Sequence, residues 1–379
     1  MRIVRLANFV APRSGGLRTA LRELGAGYAA AGHEVTLVVP GPERREEHTA
    51  QGRVITVPGV PVPFTGGYRV ILARRSLRRL LAELEPDRLE VSDRTTLRWT
   101  GAWARRHGIR TVMVSHESLA GLLDLAGPLR APSRWAADRL NRATAASYDT
   151  VVCTTEWAAA EFRRLHVRNL VRVPLGVDLA HFTPGRYDPT LRAELGAGDG
   201  PLLVQCSRLS PEKHPDRSVR VLGELRRRGV PAVLAVAGDG PMRRSLEARA
   251  AGLPARFLGY VADRDLLARL LASADVVIAP GPVETFGLAA LEALAGGTPV
   301  VVNRASALPE VVGEAGVASS DDPAAYADAV QRLLAVPEHE RRSRARAQAE
   351  RFGWPAAVTG FLQAHDLLPE GAGGRGWTR

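Results

Sequence analysis

Short β-rich runs alternate with amphipathic helical segments along almost the whole chain, and this rhythm leaves few folds open. Parallel strands cannot be joined by a tight turn; each needs a crossover, most often a helix. Met1 to Phe9 reads as a first strand, Arg13-Ser14-Gly15-Gly16 as a loop, and Leu17 to Ala31 as a helix stopping at Gly32. Further strands are expected at Val35 to Val39, Val54 to Val57, Arg88 to Val91, Thr111 to Val114 and Thr150 to Cys153. The rhythm pauses around Val173-Pro174-Leu175-Gly176-Val177-Asp178. A stretch through His181-Phe182-Thr183-Pro184 to Gly200 reads as a linker. Alternation restarts at Pro201, with strands at Ala232 to Ala237, Ala255 to Leu258, Val276 to Ala279 and Pro299 to Val302. Two halves with one pattern predict an α/β protein of two Rossmann-like domains facing one another, residues 1–180 and 195–351. A helix from about Trp354 to His365, within 352–370, is expected to return to the first domain, and Gly371 to Arg379 reads as a disordered tail.

Composition narrows the partners. With 45% hydrophobic residues the chain can bury two cores, while 5% aromatics supply little for stacking along nucleic acid. The net charge of +11 favours an anionic partner such as a nucleotide or an anionic lipid surface. Arginine is spread along the whole chain, however, so charge alone says little, and no DNA-recognition motif accompanies it. Cys153 and Cys206 match no metal or redox spacing, which points to a reducing, cytoplasmic setting. No apolar run nears the roughly 18 residues of a spanning helix, and an N-terminus that opens on a strand predicts no signal peptide.

Lys213 is the only lysine among 51 basic residues. In a chain so biased to arginine, it marks a place where a compact ammonium serves better than a planar guanidinium. It lies with Arg208 in the loop Cys206-Ser207-Arg208-Leu209-Ser210-Pro211-Glu212-Lys213-His214, after the apolar run at 201–204. Two cations in a loop after a strand suit an anion. The second rich segment, Pro280 to Ala293, follows Val276 to Ala279 and becomes a helix at Gly287. A helix start with a glycine lets phosphate approach the backbone. Glu284 and Glu292 lie about two turns apart on compatible faces, and carboxylates there can accept the vicinal hydroxyls of a ribose or hexose.

Glu284 and Glu292, with Phe286-Gly287-Leu288 between them, resemble the E-x7-E motif of family 4 retaining glycosyltransferases of the GT-B fold. Arg208 and Lys213 resemble that family's R-x4-K clamp, Pro174 to Asp178 its P-N-G-V-D turn, and Ala237 to Pro241 its G-x-G-P segment. With Gly15-Gly16 these landmarks run in the family's order to about Glu310. The resemblance implies a site in the interdomain cleft, a nucleoside-diphosphate sugar as donor, and neither metal nor cofactor. Arg208 and Lys213 would hold the diphosphate and stabilise the charge of the departing nucleotide. Glu284 would bind the transferred sugar and Glu292 the ribose. Phe286, Gly287 and Leu288 would offer backbone N–H groups, Gly16 would let its loop approach, and Tyr260 and Val261 would contact the base. His116, after the strand Thr111 to Val114, would lie near the transferred sugar. Arg13, Arg18 and Glu117 are acceptor-side candidates, the arginines suiting an acceptor that bears phosphate.

Two departures stand out: His214 replaces a usual glycine, and Asn303 to Pro309 lacks the usual paired glycines. Asp263-Arg264-Asp265 has the D-x-D form of a metal motif but opens a helix, so it reads as a cap. The helix Arg74 to Leu84 interleaves four arginines with apolar residues. It is either a peripheral docking surface for an anionic membrane or a plain surface helix. Three readings of function stand. The first is transfer of a hexose, with mannose from GDP-mannose preferred, to phosphatidylinositol or another glycolipid. The second is a UDP-sugar enzyme acting on a soluble or natural-product acceptor, and the third a non-catalytic nucleotide-binding protein. A dehydrogenase fails, because the first loop lacks G-x-G-x-x-G.

Overall fold

The computed structural model describes residues 1–10, 15–62, 67–116, 118–119 and 130–369. The chain divides into two compact units, one of Met1–Gly176 with the chain from Trp354 onward, the other of Val177–Gly353.

In the first unit the strands are β1 (Arg2–Leu6), β2 (Glu34–Gly41), β3 (Arg45–Thr49), β4 (Gly52–Pro58), β5 (Val60–Pro61), β6 (Arg69–Val70), β7 (Arg88–Val91), β8 (Arg110–Ser115), β9 (Thr150–Cys153) and β10 (Leu170–Arg172). Eight of them form one sheet in the order β10-β9-β8-β7-β1-β2-β4-β3, parallel except for the β3–β4 hairpin; β5 and β6 form a separate antiparallel pair. The order reverses beside β1, so loops after β1 and β7 meet at the carboxyl edge, where such sheets build sites. Asn8 fixes that edge. Its Nδ2 donates to Asp93 Oδ2 at 2.8 Å and its Oδ1 accepts from Ile71 N–H at 2.9 Å. The helix Gly16–Ala30 buries Ala20, Leu21, Leu24 and Tyr28, a stripe of helical spacing. The helix Trp354–Ala364 belongs to this unit and packs on Gly16–Ala30.

The second unit holds β11 (Leu202–Cys206), β12 (Val233–Ala237), β13 (Ala255–Gly259), β14 (Val276–Ala279), β15 (Val300–Asn303) and β16 (Gly316–Ser319), all parallel, in the order β13-β12-β11-β14-β15-β16. Its core joins Leu203, Val236, Ile278 and Val301 to Leu222, Leu225, Tyr326 and Val330 of the covering helices.

The stretch read as a linker to Gly200 is instead part of the second unit from Val177 on. Asp188 caps the helix Pro189–Glu194 by accepting from Leu191 N–H, and Arg192 is buried, donating to Asp275 Oδ2 at 2.8 Å. Proline and glycine here shape a short helix and its turns rather than a free tether. The first strand is also shorter than read, ending at Leu6, and Phe9 has φ 58°, outside extended backbone.

Candidate active site

β11 delivers the cation loop. Leu209 N–H donates to Asp239 O at 3.0 Å, which pins the loop to the turn after β12. A short 3-10 turn, Pro211–Lys213, then places Lys213 Nζ 2.5 Å from Glu284 Oε2, both side chains about a quarter exposed. Arg208 donates to Glu212 Oε1 through Nη2 and to Ser210 Oγ through Nε at 3.1 Å. Burial pushes the Glu212 carboxyl up, but Ser210 and Arg208 outweigh it and hold it below the usual carboxylate range. Each cation is therefore paired with a carboxylate.

β14 delivers the facing loop. Asn303, buried at the end of β15, donates from Nδ2 to Pro280 O at 3.0 Å, and Ala307 N–H donates to Glu284 O at 2.9 Å. The segment lacking the family's paired glycines thus braces the Glu284 loop. Gly287 has φ 78°, and a Cβ there would lie 2.2 Å from Leu308 Cδ2, so only glycine fits. It precedes the helix Leu288–Ala295, whose first-turn amides and dipole favour negative charge. Phe286 is 3% exposed and stacks edge-on against Phe352, so its side chain is core. Lys213, Gly281, Glu284, Gly287, Cys206 and Leu308 line one small pocket. Glu292 acts on this pocket electrostatically: burial first, and the Glu292 charge second, push the Cys206 thiol up to about 12. Cys206 is thus a neutral thiol at ordinary pH.

Tyr260 and Val261 follow β13 at the sheet's edge and do not line this pocket; Tyr260 is exposed. Asp263 accepts from Asp265 N–H at 2.9 Å as the cap of the helix Arg264–Ser273, which is how the D-x-D read from sequence.

In the first unit, Gly16 opens its helix and Arg18 is exposed on the first turn. Arg13 and Glu117 lie outside the described residues. His116 is half-buried just beyond β8. Burial lowers its pKa to about 4, Glu90 opposes, and Arg5 and Arg94 add to the lowering, so the imidazole is neutral. A neutral ring both donates and accepts, which suits sugar hydroxyls. Sequence reasoning missed the fixed charges behind it. Arg5 Nε donates to Glu90 Oε1 at 2.7 Å in the sheet, Tyr28 donates to Glu90 Oε2 at 2.8 Å, and His365 Nε2 lies 3.2 Å from that oxygen. An arginine inside the apolar run of β1 was the available signal.

Lys213, Glu284, Gly281 and Gly287 line one pocket, with Arg208 in the loop that carries Lys213 and Glu292 on the helix that follows Gly287. The family model described as glycosyl transferases group 1 matches residues 188–351, and that described as glycosyl transferase 4-like domain matches residues 15–176. The chain belongs to the family 4 glycosyltransferases of the GT-B fold. This transferase is 51% identical, over 96% of its length and 95% of the relative's, to the GDP-mannose-dependent alpha-(1-6)-phosphatidylinositol dimannoside mannosyltransferase of Mycobacterium tuberculosis. It is 32% identical, over 88% and 89%, to the corresponding monomannoside mannosyltransferase of Mycolicibacterium smegmatis. Its fold matches the sucrose-phosphate synthase of Thermosynechococcus elongatus at a TM-score of 0.78, with 21% identity over 97% and 98% of the two chains.

Proposed function

We propose that the transferase moves mannose from GDP-mannose to a hydroxyl of a phosphatidylinositol mannoside, with retention at the anomeric carbon. The observation that carries this reading is the full-length likeness to the mycobacterial dimannoside enzyme, joined to Lys213, Glu284 and Gly287 at one pocket, with Arg208 in the loop of Lys213. When the bond from sugar C1 to the diphosphate oxygen breaks, negative charge grows on GDP. Lys213, Arg208 and the helix start at Gly287 stabilise it, the work a metal does elsewhere. Glu284 accepts from the mannose, Glu292 from the ribose, and Tyr260 with Val261 meet the base. His116, kept neutral, bonds a hydroxyl of the transferred sugar without repelling the developing cation at C1. Arg18 supports an acceptor bearing phosphate.

The protein works peripherally on an anionic membrane. Among the described residues no helix is long and apolar enough to cross one. On the helix Arg74–Leu84, Leu77, Leu80 and Leu81 are buried in the core while Arg74, Arg75, Arg78 and Arg79 are exposed. The helix therefore attracts a lipid surface by charge and does not insert its apolar stripe.

The test is thermal stabilisation by GDP, UDP and ADP, followed by transfer of labelled mannose to phosphatidylinositol dimannoside. GDP at a hundredfold its Kd should stabilise by about 2.7 kcal/mol. A preference for UDP or ADP, or release of mannose without a glycolipid product, overturns the reading.

A further inference from the structure

His214, directly after Lys213, has φ 46° and ψ 46°, the left-handed region. For a residue with a side chain that backbone is strained, and glycine avoids the strain. The strained residue closes the 3-10 turn, its N–H donating to Pro211 O at 3.1 Å while Lys213 N–H donates to Ser210 O at 3.0 Å. The ring has a charged neighbour outside the turn. His214 Nδ1 lies 3.5 Å from Asp321 Oδ2, and Asp321 is gripped by Arg217 through Nε at 2.8 Å and Nη2 at 2.9 Å. Asp321 stands between β16 and the helix Pro323–Leu334, so the anchor comes from an element remote in sequence. On the other side Lys213 meets Gly281, where a Cβ would sit 3.4 Å from Lys213 Cα. The turn that carries Lys213 is thus set between the Gly281 loop and the Asp321 contact.

We infer that Asp321 is a positioning residue for the donor diphosphate: by holding the His214 ring it maintains the left-handed turn that sets Lys213 opposite Glu284. This rests on Lys213 being a ligand of that diphosphate. The usual glycine adopts the turn unaided, so Asp321 matters only while histidine occupies position 214.

The experiment is GDP titration by calorimetry and kinetics with GDP-mannose on the full chain, for wild type, D321N, H214G, H214A, H214G/D321N and K213A, with melts to verify folding. D321N should raise the GDP Kd and the donor KM about fivefold, leaving kcat within about twofold, and should do neither in the H214G background. Equal losses in the two backgrounds, or none in either, overturn the inference. Should D321N fail to fold, H214A and H214G keep the Arg217–Asp321 pair and carry the same test. H214A, which removes the ring but keeps a side chain in the left-handed turn, should bind GDP about fivefold more weakly than wild type while H214G stays near wild type, and an H214A affinity equal to wild type overturns the proposal. A wild type that binds no GDP, or K213A binding it as well as wild type, overturns the donor reading itself. Silence of D321N and H214A with a weakened K213A sinks only the role of Asp321.

Discussion

Lys213 and Glu284 offset each other across 2.5 Å at a partly exposed pocket. In the proposed reading, a donor diphosphate would take the ammonium while the carboxylate turns to a sugar hydroxyl. Lys213→Ala should lower kcat/KM by about 10²–10³, the loss usual for one preorganised charge donor. Lys213→Arg should recover only part, because a planar guanidinium on a longer side chain does not put its charge where the compact ammonium meets Glu284. Steady-state kinetics decide it; full activity in the arginine variant contradicts the assigned role. His116 adds a pH signature. Its pKa falls from the ordinary 6.5 to about 4 on folding, so the unfolded chain takes up its proton first. The stability this gives is present above pH 6.5 and is lost as pH falls towards 4, by at most about 3 kcal/mol. Denaturant melts of His116→Gln across that window should show a flatter acid limb than the wild type.

Among the elements, the helix start at Gly287 was legible in sequence, because a glycine entering an apolar helix after a strand has a specific spacing. The basic helix was legible as a helix, but the fate of its leucines was not, since one face of such a pattern suits a core or a bilayer equally. Burial of Leu77, Leu80 and Leu81 leaves only charge for a lipid. Replacing Arg74, Arg75, Arg78 and Arg79 with serine should cut binding to phosphatidylinositol-rich vesicles by roughly 1 kcal/mol per arginine, with little change in melting temperature. Co-sedimentation checks this, and wild-type binding that ignores salt would contradict the charge mechanism. The short edge elements, β3, β5, β6 and β16, escaped sequence reading because their residues are exposed or few and carry no period.

Across the whole molecule, the C-terminal helix is tied to the first unit by charge as well as by packing. Burial pushes the Glu90 carboxyl up, yet Arg5, His365 and Tyr28 together hold it well below the usual range. Glu90→Gln strands Arg5, which is 1% exposed, and should cost about 3–5 kcal/mol; chemical denaturation measures it. A loss under 1 kcal/mol would mean that the network is dispensable.

Local pattern alone determined the two α/β halves, the strand ends where the chemistry sits, and the spacing of Arg208, Lys213, Glu284 and Glu292. Each follows from periodicity or from motif order within a short window. Only the tertiary structure decided which partner each charge meets. Glu90 joins residues 85 and 275 positions away, and Arg217 holds Asp321 across 104 positions. It also decided that His214 stands in a left-handed turn, and that Val177 to Gly200 is packed rather than a tether. Pairings at such separations depend on how strands stack into a sheet, and no local propensity encodes that order.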